Sequence, residues 1–133
     1  MINLSRMRYL HNRLPMAQFR VERARSKTAR MTSSFSAMPH GSGKSDPTAD
    51  GAILLDEARN ALESIRRELA EMQNELIPLI EKLDDPLQRQ VMRMYYIDGR
   101  RVLEISYALN YSEQWMHIIL RRAEKNLKTL ESL

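Results

Sequence analysis

The sequence lacks cysteine, and only 6% of its 133 residues are aromatic. Without cysteine the chain forms neither a disulfide framework nor a cysteine-ligated zinc site. Hydrophobic residues make up 43% of the sequence, which suits one modest core with extended helices. The composition therefore excludes disulfide-stabilised scaffolds and argues against a large catalytic pocket.

The sequence also lacks a run of about 18 apolar residues, the length that a membrane-spanning helix requires. No apolar signal core follows the first methionine. We therefore expect a cytoplasmic protein with no membrane partner.

Charge is unevenly distributed along the chain. Residues 1–45 carry a net charge of +8, residues 46–99 carry −6 and residues 100–133 carry +2, within an overall +4. A basic segment can bind nucleic acid, but an acidic segment of similar length can equally neutralise it. The sequence leaves open whether the basic N-terminal segment pairs with the acidic segment or with DNA.

Apolar and small side chains recur at helical spacing from Leu4 to Met31. The repeating positions are Leu4, Met7, Leu10, Leu14, Ala17, Val21, Ala24, Thr28 and Met31. Proline inside a helix removes a hydrogen bond and clashes with the preceding turn, at a cost of about 3 kcal/mol. We therefore expect a kink or a restart of this helix at Pro15.

Residues 32–51 are rich in Ser, Gly, Pro and Asp, which indicates a flexible loop. Within them, Gly43-Lys44-Ser45 resembles the end of a phosphate-binding loop. The complete motif requires a glycine where this chain has Met38, and a buried strand before it. We therefore interpret this stretch as a loop and not as a nucleotide site.

The most regular pattern in the chain is an apolar seam whose spacings alternate between four and three residues, which is typical of a coiled coil. It comprises Ala58, Leu62, Ile65, Leu69, Met72, Leu76, Leu79 and Leu83. Either Asp46-Pro47 or Asp50 is suited to start this helix, and Pro78 is expected to bend it or end its regular part. The seam must be buried, either on the first helix in an antiparallel hairpin or on a second copy of the chain.

A C-terminal helix is predicted to start at Asp85-Pro86 and to end at Asp98-Gly99, because Asp caps, proline suits the first turn and glycine accepts positive φ. Two more helices are predicted between Val102 and Ala123. The inner face of the first is assigned to Leu103, Ile105, Ala108 and Leu109, and that of the second to Met116, Ile119, Leu120 and Ala123.

The short joint between these two helices is typical of a helix-turn-helix. Asn110 tolerates the left-handed conformation that closes a helix, and Ser112 is suited to cap the next one through its hydroxyl oxygen. The predicted fold class is therefore all-α: a long coiled-coil-like helical hairpin over residues 1–83, with a loop at about 32–51, then a tri-helical helix-turn-helix domain over residues 84–133.

The run RQVMRMYYIDGRRVLEISYALNYSEQWMHIILRRAEKNL resembles region 4 of bacterial sigma factors. The resemblance rests on its acidic-glycine turn at Tyr96, Asp98 and Gly99, its first helix with Glu104, Ile105 and Ser106, its Ser cap and its Arg-Ala ending. The layout of the whole chain resembles the phage-encoded late transcription regulators of the ArpU/RinA-like kind. These resemblances imply a DNA-binding regulator of phage or prophage genes in the host bacterial cytoplasm, with RNA polymerase as a further partner.

The resemblance places the base-contacting positions on Glu113, Gln114, His117 and Ile118. Gln pairs with adenine, His with guanine edges and Glu with cytosine, but an isoleucine cannot hydrogen-bond a base. Ile118 therefore either meets a thymine methyl group or packs inside the protein. The positions expected to contact the DNA backbone are Arg100, Arg101, Ser112, Arg121, Arg122 and Lys125. We interpret Trp115 as a packing residue at the start of the helix.

No catalytic or metal-binding set converges in the sequence, since His11, His40 and His117 lie in separate segments. We therefore expect no enzyme and no cofactor. Double-stranded DNA is the expected partner, and a homodimer through the N-terminal helices would suit a palindromic site. The alternatives are a DNA-packaging protein like a small terminase subunit, and an interaction module that binds polymerase or a sigma factor without touching DNA.

Overall fold

The computed structural model describes residues 2–37 and 47–133, and these residues form five α-helices and no β-strand. The predicted all-α class is confirmed. The helices are α1 (Leu4–Ala37), α2 (Pro47–Glu81), α3 (Pro86–Met92), α4 (Val102–Leu109) and α5 (Glu113–Glu131), with a π-helical turn, Arg93–Ile97, continuing α3. None of these helices is long and apolar enough to cross a membrane.

The described residues group into two compact units, one formed by residues 2–11 with 69–133 and the other by residues 12–37 with 47–68. The compact units thus divide the two long helices, whereas the sequence places a domain boundary after residue 83. Compact packing and independent folding are different properties, so the division into domains 1–83 and 84–133 stays a prediction.

In the unit formed by residues 12–37 and 47–68, α1 and α2 pack as an antiparallel pair. Ala17, Val21 and Leu62 are buried between them, and the partly buried residues Leu14, Leu55, Ala58 and Ile65 pack around these three. The part of the predicted seam that lies in this unit, Ala58, Leu62 and Ile65, is therefore covered by α1 of the same chain, as the hairpin interpretation requires.

In the other unit, the start of α1 and the end of α2 pack with α3, α4 and α5 around one core. Met7, Leu76 and Ile80 from the long helices are completely buried in it. The C-terminal helices contribute Val91, Met92, Met94, Tyr96, Val102, Ile105, Met116, Ile119, Leu120, Ala123 and Leu127. Packing of α5 against both α3 and α4 makes the tri-helical arrangement that the sequence predicts.

Two expectations about the long helices need correction. α1 is one helix that continues through the exposed Pro15, so the restart expected there does not occur. Both ends of the stretch expected to be a loop, about 32–51, are helical, because α1 extends to Ala37 and α2 begins at Pro47. Gly43-Lys44-Ser45 and His40 lie outside the described residues.

The predicted helix boundaries in the C-terminal part are confirmed by their caps. The Asp85 side chain accepts a hydrogen bond from the Leu87 amide at 2.9 Å, with Pro86 in the first turn. Gly99 has φ 72° and Asn110 has φ 61°, so both adopt the left-handed conformation that their residue types favour.

The inner face of α4 differs from the one expected. Ile105 is buried and Leu109 half-buried, as predicted, but Leu103 and Ala108 are exposed, and their places are taken by Val102 and Ser106. A buried serine is tolerated here because its hydroxyl donates to the Leu103 carbonyl oxygen at 2.6 Å.

The carbonyl end of α3 is capped by side chains from the two long helices. The last carbonyl groups of a helix have no partner within it, and here Arg8 Nη1 donates to the Tyr95 oxygen at 2.9 Å and Gln73 Nε2 to the Ile97 oxygen at 3.0 Å. His11 Nε2 donates to the Tyr96 oxygen at 2.6 Å. Since a carbonyl only accepts, this ring nitrogen carries the proton.

The His11 ring also fixes which residue can follow the π-helical turn. A Cβ atom added to Gly99 would lie 2.6 Å from His11 Nδ1, well inside van der Waals contact. Gly99 is thus required twice, by its positive φ and by the close approach of the imidazole.

We expect Gly99→Ala to lower the free energy of unfolding by more than Asn110→Ala does. Gly99→Ala adds a Cβ at positive φ, which costs about 1 to 2 kcal/mol, and brings that Cβ against His11. Asn110 already carries a Cβ at positive φ, so Asn110→Ala removes only the local preference of the Asn side chain. Urea denaturation followed by circular dichroism measures both variants. Equal losses would show that neither the added Cβ nor its contact with His11 destabilises the protein.

Acidification is expected to destabilise the protein through His11. Burial lowers the pKa of His11 below its ordinary value of 6.5, an effect that nearby Arg8 reinforces and that the Tyr96 hydrogen bond and Asp98 oppose. Because the unfolded chain then binds the proton more readily, the stability from the neutral ring is present above the unfolded-state pKa and is lost as the pH falls below it. Urea denaturation measures the free energy of unfolding at about pH 7.5 and about pH 5.5. The loss between these two pH values should be smaller for His11→Gln than for the wild type, because glutamine does not titrate in this range. An unchanged difference would exclude His11 as the cause.

Candidate nucleic-acid interface

The joint between α4 and α5 has the geometry of a helix-turn-helix. α4 ends at Asn110 in the left-handed conformation, and the Tyr111 amide donates to the Ser106 carbonyl oxygen at 3.1 Å. Ser112 then caps α5, its hydroxyl oxygen accepting from the Trp115 amide at 3.1 Å. The predicted roles of Asn110 and Ser112 in the fold are therefore confirmed.

α5 is held in place by one apolar face and two polar contacts. Met116, Ile119, Leu120 and Ala123 are buried as predicted, with Leu127 one turn further on. The Tyr96 hydroxyl donates to Glu124 Oε1 at 2.6 Å, and Asn126 Nδ2 donates to Gln88 Oε1 at 2.9 Å. Burial, together with the bond to Glu124, raises the pKa of Tyr96, so its hydroxyl stays a donor.

The outer face of α5 carries a continuous stripe of exposed side chains, which we call the α5 stripe. Its members follow one another at spacings of four and three residues, so they lie on one side of the helix, away from the buried face. They are Gln114, Ile118, Arg121, Lys125 and Lys128. The stripe combines one amide, one apolar group and three cations on one surface.

The structure decides between the two positions left open for Ile118. Its side chain is 40% exposed, while the core positions of α5 lie on the other face. Ile118 therefore lies in the α5 stripe and not inside the protein.

Two contacts within α5 involve other residues of the predicted interface. His117 Nε2 lies 3.8 Å from Glu113 Oε1, a pairing one turn apart that is ionic only when the imidazole is protonated, and both side chains are about half exposed. The Arg122 guanidinium lies 5.5 Å from the centre of the Trp115 ring, within range of a cation–π interaction. Trp115 itself packs against the core, so its predicted role is confirmed.

The remaining predicted residues lie before α4. Arg100 and Arg101 are exposed, and Arg101 precedes the first residue of α4. Since α4 has eight residues and a helix rises about 1.5 Å per residue, these arginines lie roughly 12 Å along α4 from the turn. They flank the interface and are not part of the α5 stripe.

Two exposed features were missed from the sequence. Lys128 continues the α5 stripe, and its distance of three residues from Lys125 and seven from Arg121 could have revealed it. On α4, Tyr107 is 75% exposed and Leu103 is 47% exposed on the same side. An eight-residue helix is too short for its spacing to show which apolar side faces outward.

Across residues 2–37 and 47–133, no group of three or more His, Cys, Asp or Glu side chains is arranged to hold a metal ion. The chemistry available to this surface is that of hydrogen bonds, cations and apolar contact.

A family model described as "Protein of unknown function (DUF1492)" matches residues 38–128, more than half of the chain. The chain belongs to the DUF1492 family. The matched region includes all of α2, α3 and α4 and most of α5, so it contains the helix-turn-helix and the α5 stripe. The curated proteins and the solved structures gave no match to the chain.

Proposed function

We propose that this DUF1492 protein is a sequence-specific DNA-binding transcription regulator of phage or prophage genes, and that α5 enters the major groove of double-stranded DNA. The observation that carries the proposal is the α5 stripe, which presents an amide and cations on the helix that follows the turn. In helix-turn-helix proteins this second helix contacts the base edges.

The chemistry of the surface suits DNA. The major groove, about 12 Å wide, admits an α-helix, and Gln114 near the start of α5 can pair with adenine while His117 can bond to guanine. Arg121, Lys125 and Lys128 are suited to neutralise phosphates. The arginines before α4 extend this basic surface toward the backbone that the first helix crosses.

The phage and transcription part of the proposal comes from resemblance. The C-terminal sequence is similar to region 4 of sigma factors, and the layout of the chain is similar to ArpU/RinA-like late regulators. Such a regulator binds DNA near a promoter and contacts RNA polymerase, which we propose as the second partner of this chain.

We further propose that the protein is a homodimer through its long helices. Met16 and Phe19 are 59% and 62% exposed and lie one turn apart on α1, within the unit that contains the paired helices. Large apolar side chains at such positions are suited to pack against a second copy, and a dimer would match two half-sites on DNA.

Base recognition is tested by Gln114→Ala combined with His117→Ala. Because a paired base contact accounts for about 1 to 3 kcal/mol of discrimination, the double variant should lose roughly tenfold or more of its preference for the selected sequence. Weak, salt-sensitive binding to any DNA should remain. In vitro selection from random duplexes identifies the sequence, and fluorescence anisotropy measures affinity for it and for a scrambled duplex.

Two arginine variants serve as controls in the same assay. Arg121→Ala should weaken binding to both duplexes alike and reduce the salt dependence, because a phosphate contact carries no sequence information. Arg67→Ala removes the same charge from an exposed position on α2 and should change neither. If the wild type selects no sequence, or the Gln114/His117 variant keeps full preference, the assigned recognition surface is wrong.

Assembly is tested by sedimentation equilibrium. We expect the mass of a dimer, and Met16→Lys with Phe19→Lys should give a monomer, because the change places charge on the exposed apolar pair. Gln18→Lys adds one positive charge at an exposed neighbouring position without removing an apolar side chain, and it should leave the dimer intact. A ring of about eight or more copies would instead support the packaging function of a small terminase subunit.

A second candidate function is favoured by the outer face of α4. Tyr107 and Leu103 form an exposed apolar pair, which is more typical of a protein contact than of a phosphate contact. If the chain binds no DNA in the selection experiment, an interaction module for polymerase or a sigma factor becomes the better proposal.

A further inference from the structure

We propose that Ile118 recognises the 5-methyl group of a thymine in the DNA site that α5 binds. This inference rests on the proposed DNA binding, and it assigns the base that one residue of the recognition helix contacts. It concerns an isoleucine in a stripe that is otherwise polar or cationic.

The position of Ile118 within the α5 stripe carries the inference. Gln114 lies one turn before it, and Arg121 and Lys125 lie three and seven residues after it on the same side. Any duplex that contacts the polar members of this stripe must also meet Ile118. Its 40% exposed side chain would then lose water on binding.

The chemistry of the major groove offers one apolar partner to such a side chain. Base edges present hydrogen-bond donors and acceptors there, except for the methyl group of thymine. An isoleucine facing another base would leave a donor or acceptor without a partner, at a cost in affinity. A branched side chain has few rotamers, so ordering it against a methyl group costs little entropy.

The spacing along α5 also limits where the thymine lies. Ile118 follows Gln114 by four residues, or about 6 Å along the helix axis, and neighbouring base pairs are about 3.4 Å apart. If Gln114 pairs with adenine, the thymine that Ile118 contacts lies within about two base pairs of it. The expected half-site therefore contains closely spaced A·T pairs.

The test is to replace each thymine of the selected duplex in turn by deoxyuridine, which removes only the 5-methyl group. At one thymine we expect affinity for the full-length protein to fall about fourfold, the change that corresponds to loss of one buried methyl group. Ile118→Ala should bind the two duplexes equally. Ile118→Val, which keeps the branched carbon, should retain most of the difference.

Ile53→Ala is the matched control, because it makes the same change at an isoleucine that is 56% exposed on α2. It should retain the full preference for thymine over deoxyuridine, and circular dichroism should show all three variants to be folded. Sequence-specific binding with no thymine sensitive to deoxyuridine, or equal sensitivity in Ile118→Ala, would overturn the assignment of Ile118 while the proposed DNA binding stands. Failure to select any sequence would overturn both.

Discussion

Capping of the carbonyl end of α3 is the interaction on which the C-terminal structure depends. The π-helical turn leaves the carbonyl oxygens of Tyr95, Tyr96 and Ile97 to be bonded from outside the helix, and Arg8, His11 and Gln73 supply the donors. The Arg8 guanidinium also lies 3.9 Å from the centre of the Tyr95 ring, which adds a cation–π contact. Buried carbonyl groups without partners would cost roughly 1 to 3 kcal/mol each. The first turns of α1 and the last turns of α2 thereby belong structurally to the tri-helical module.

The features that could be predicted from the sequence are those determined by neighbouring residues. The seam from Ala58 to Leu83 and the cap at Asp85 follow from local spacing and backbone geometry. So do the cap at Ser112 and the left-handed residues that close α3 and α4. Each depends on contacts within a few positions or on a repeat long enough to average out exceptions.

The features that could not be predicted depend on residues far apart in the chain. Arg8 and Tyr95 are separated by 87 positions, and His11 and Tyr96 by 85, so no local pattern indicates that they bond. The apolar repeat of α1 ends at Met31, whereas the helix continues to Ala37 through a Ser-rich segment of low helix propensity, which local spacing does not predict. In the candidate site, the α5 stripe follows from the spacing of its residues. Whether Ile118 is part of the stripe could be decided only once the position of the core was known.

The α5 stripe is exposed because the opposite face of the same helix is buried in the core. A helix of 19 residues is long enough to bury five side chains against α3 and α4 while its other side stays in solvent. The Ser112 cap and the hydrogen bonds of Glu124 and Asn126 fix the position of that helix against α3 and the π-helical turn. A rigid helix limits the entropy lost when its outer side chains bind a partner.

The contact between Arg122 and Trp115 gives the protein a built-in optical probe. The chain has one tryptophan, and it lies at the start of α5 with a guanidinium against its ring. Indole emission depends on the charge and solvent around the ring, so all tryptophan fluorescence of this protein originates beside the proposed binding surface. Changes at α5 can therefore be followed without attaching a label, from the light that one native side chain emits.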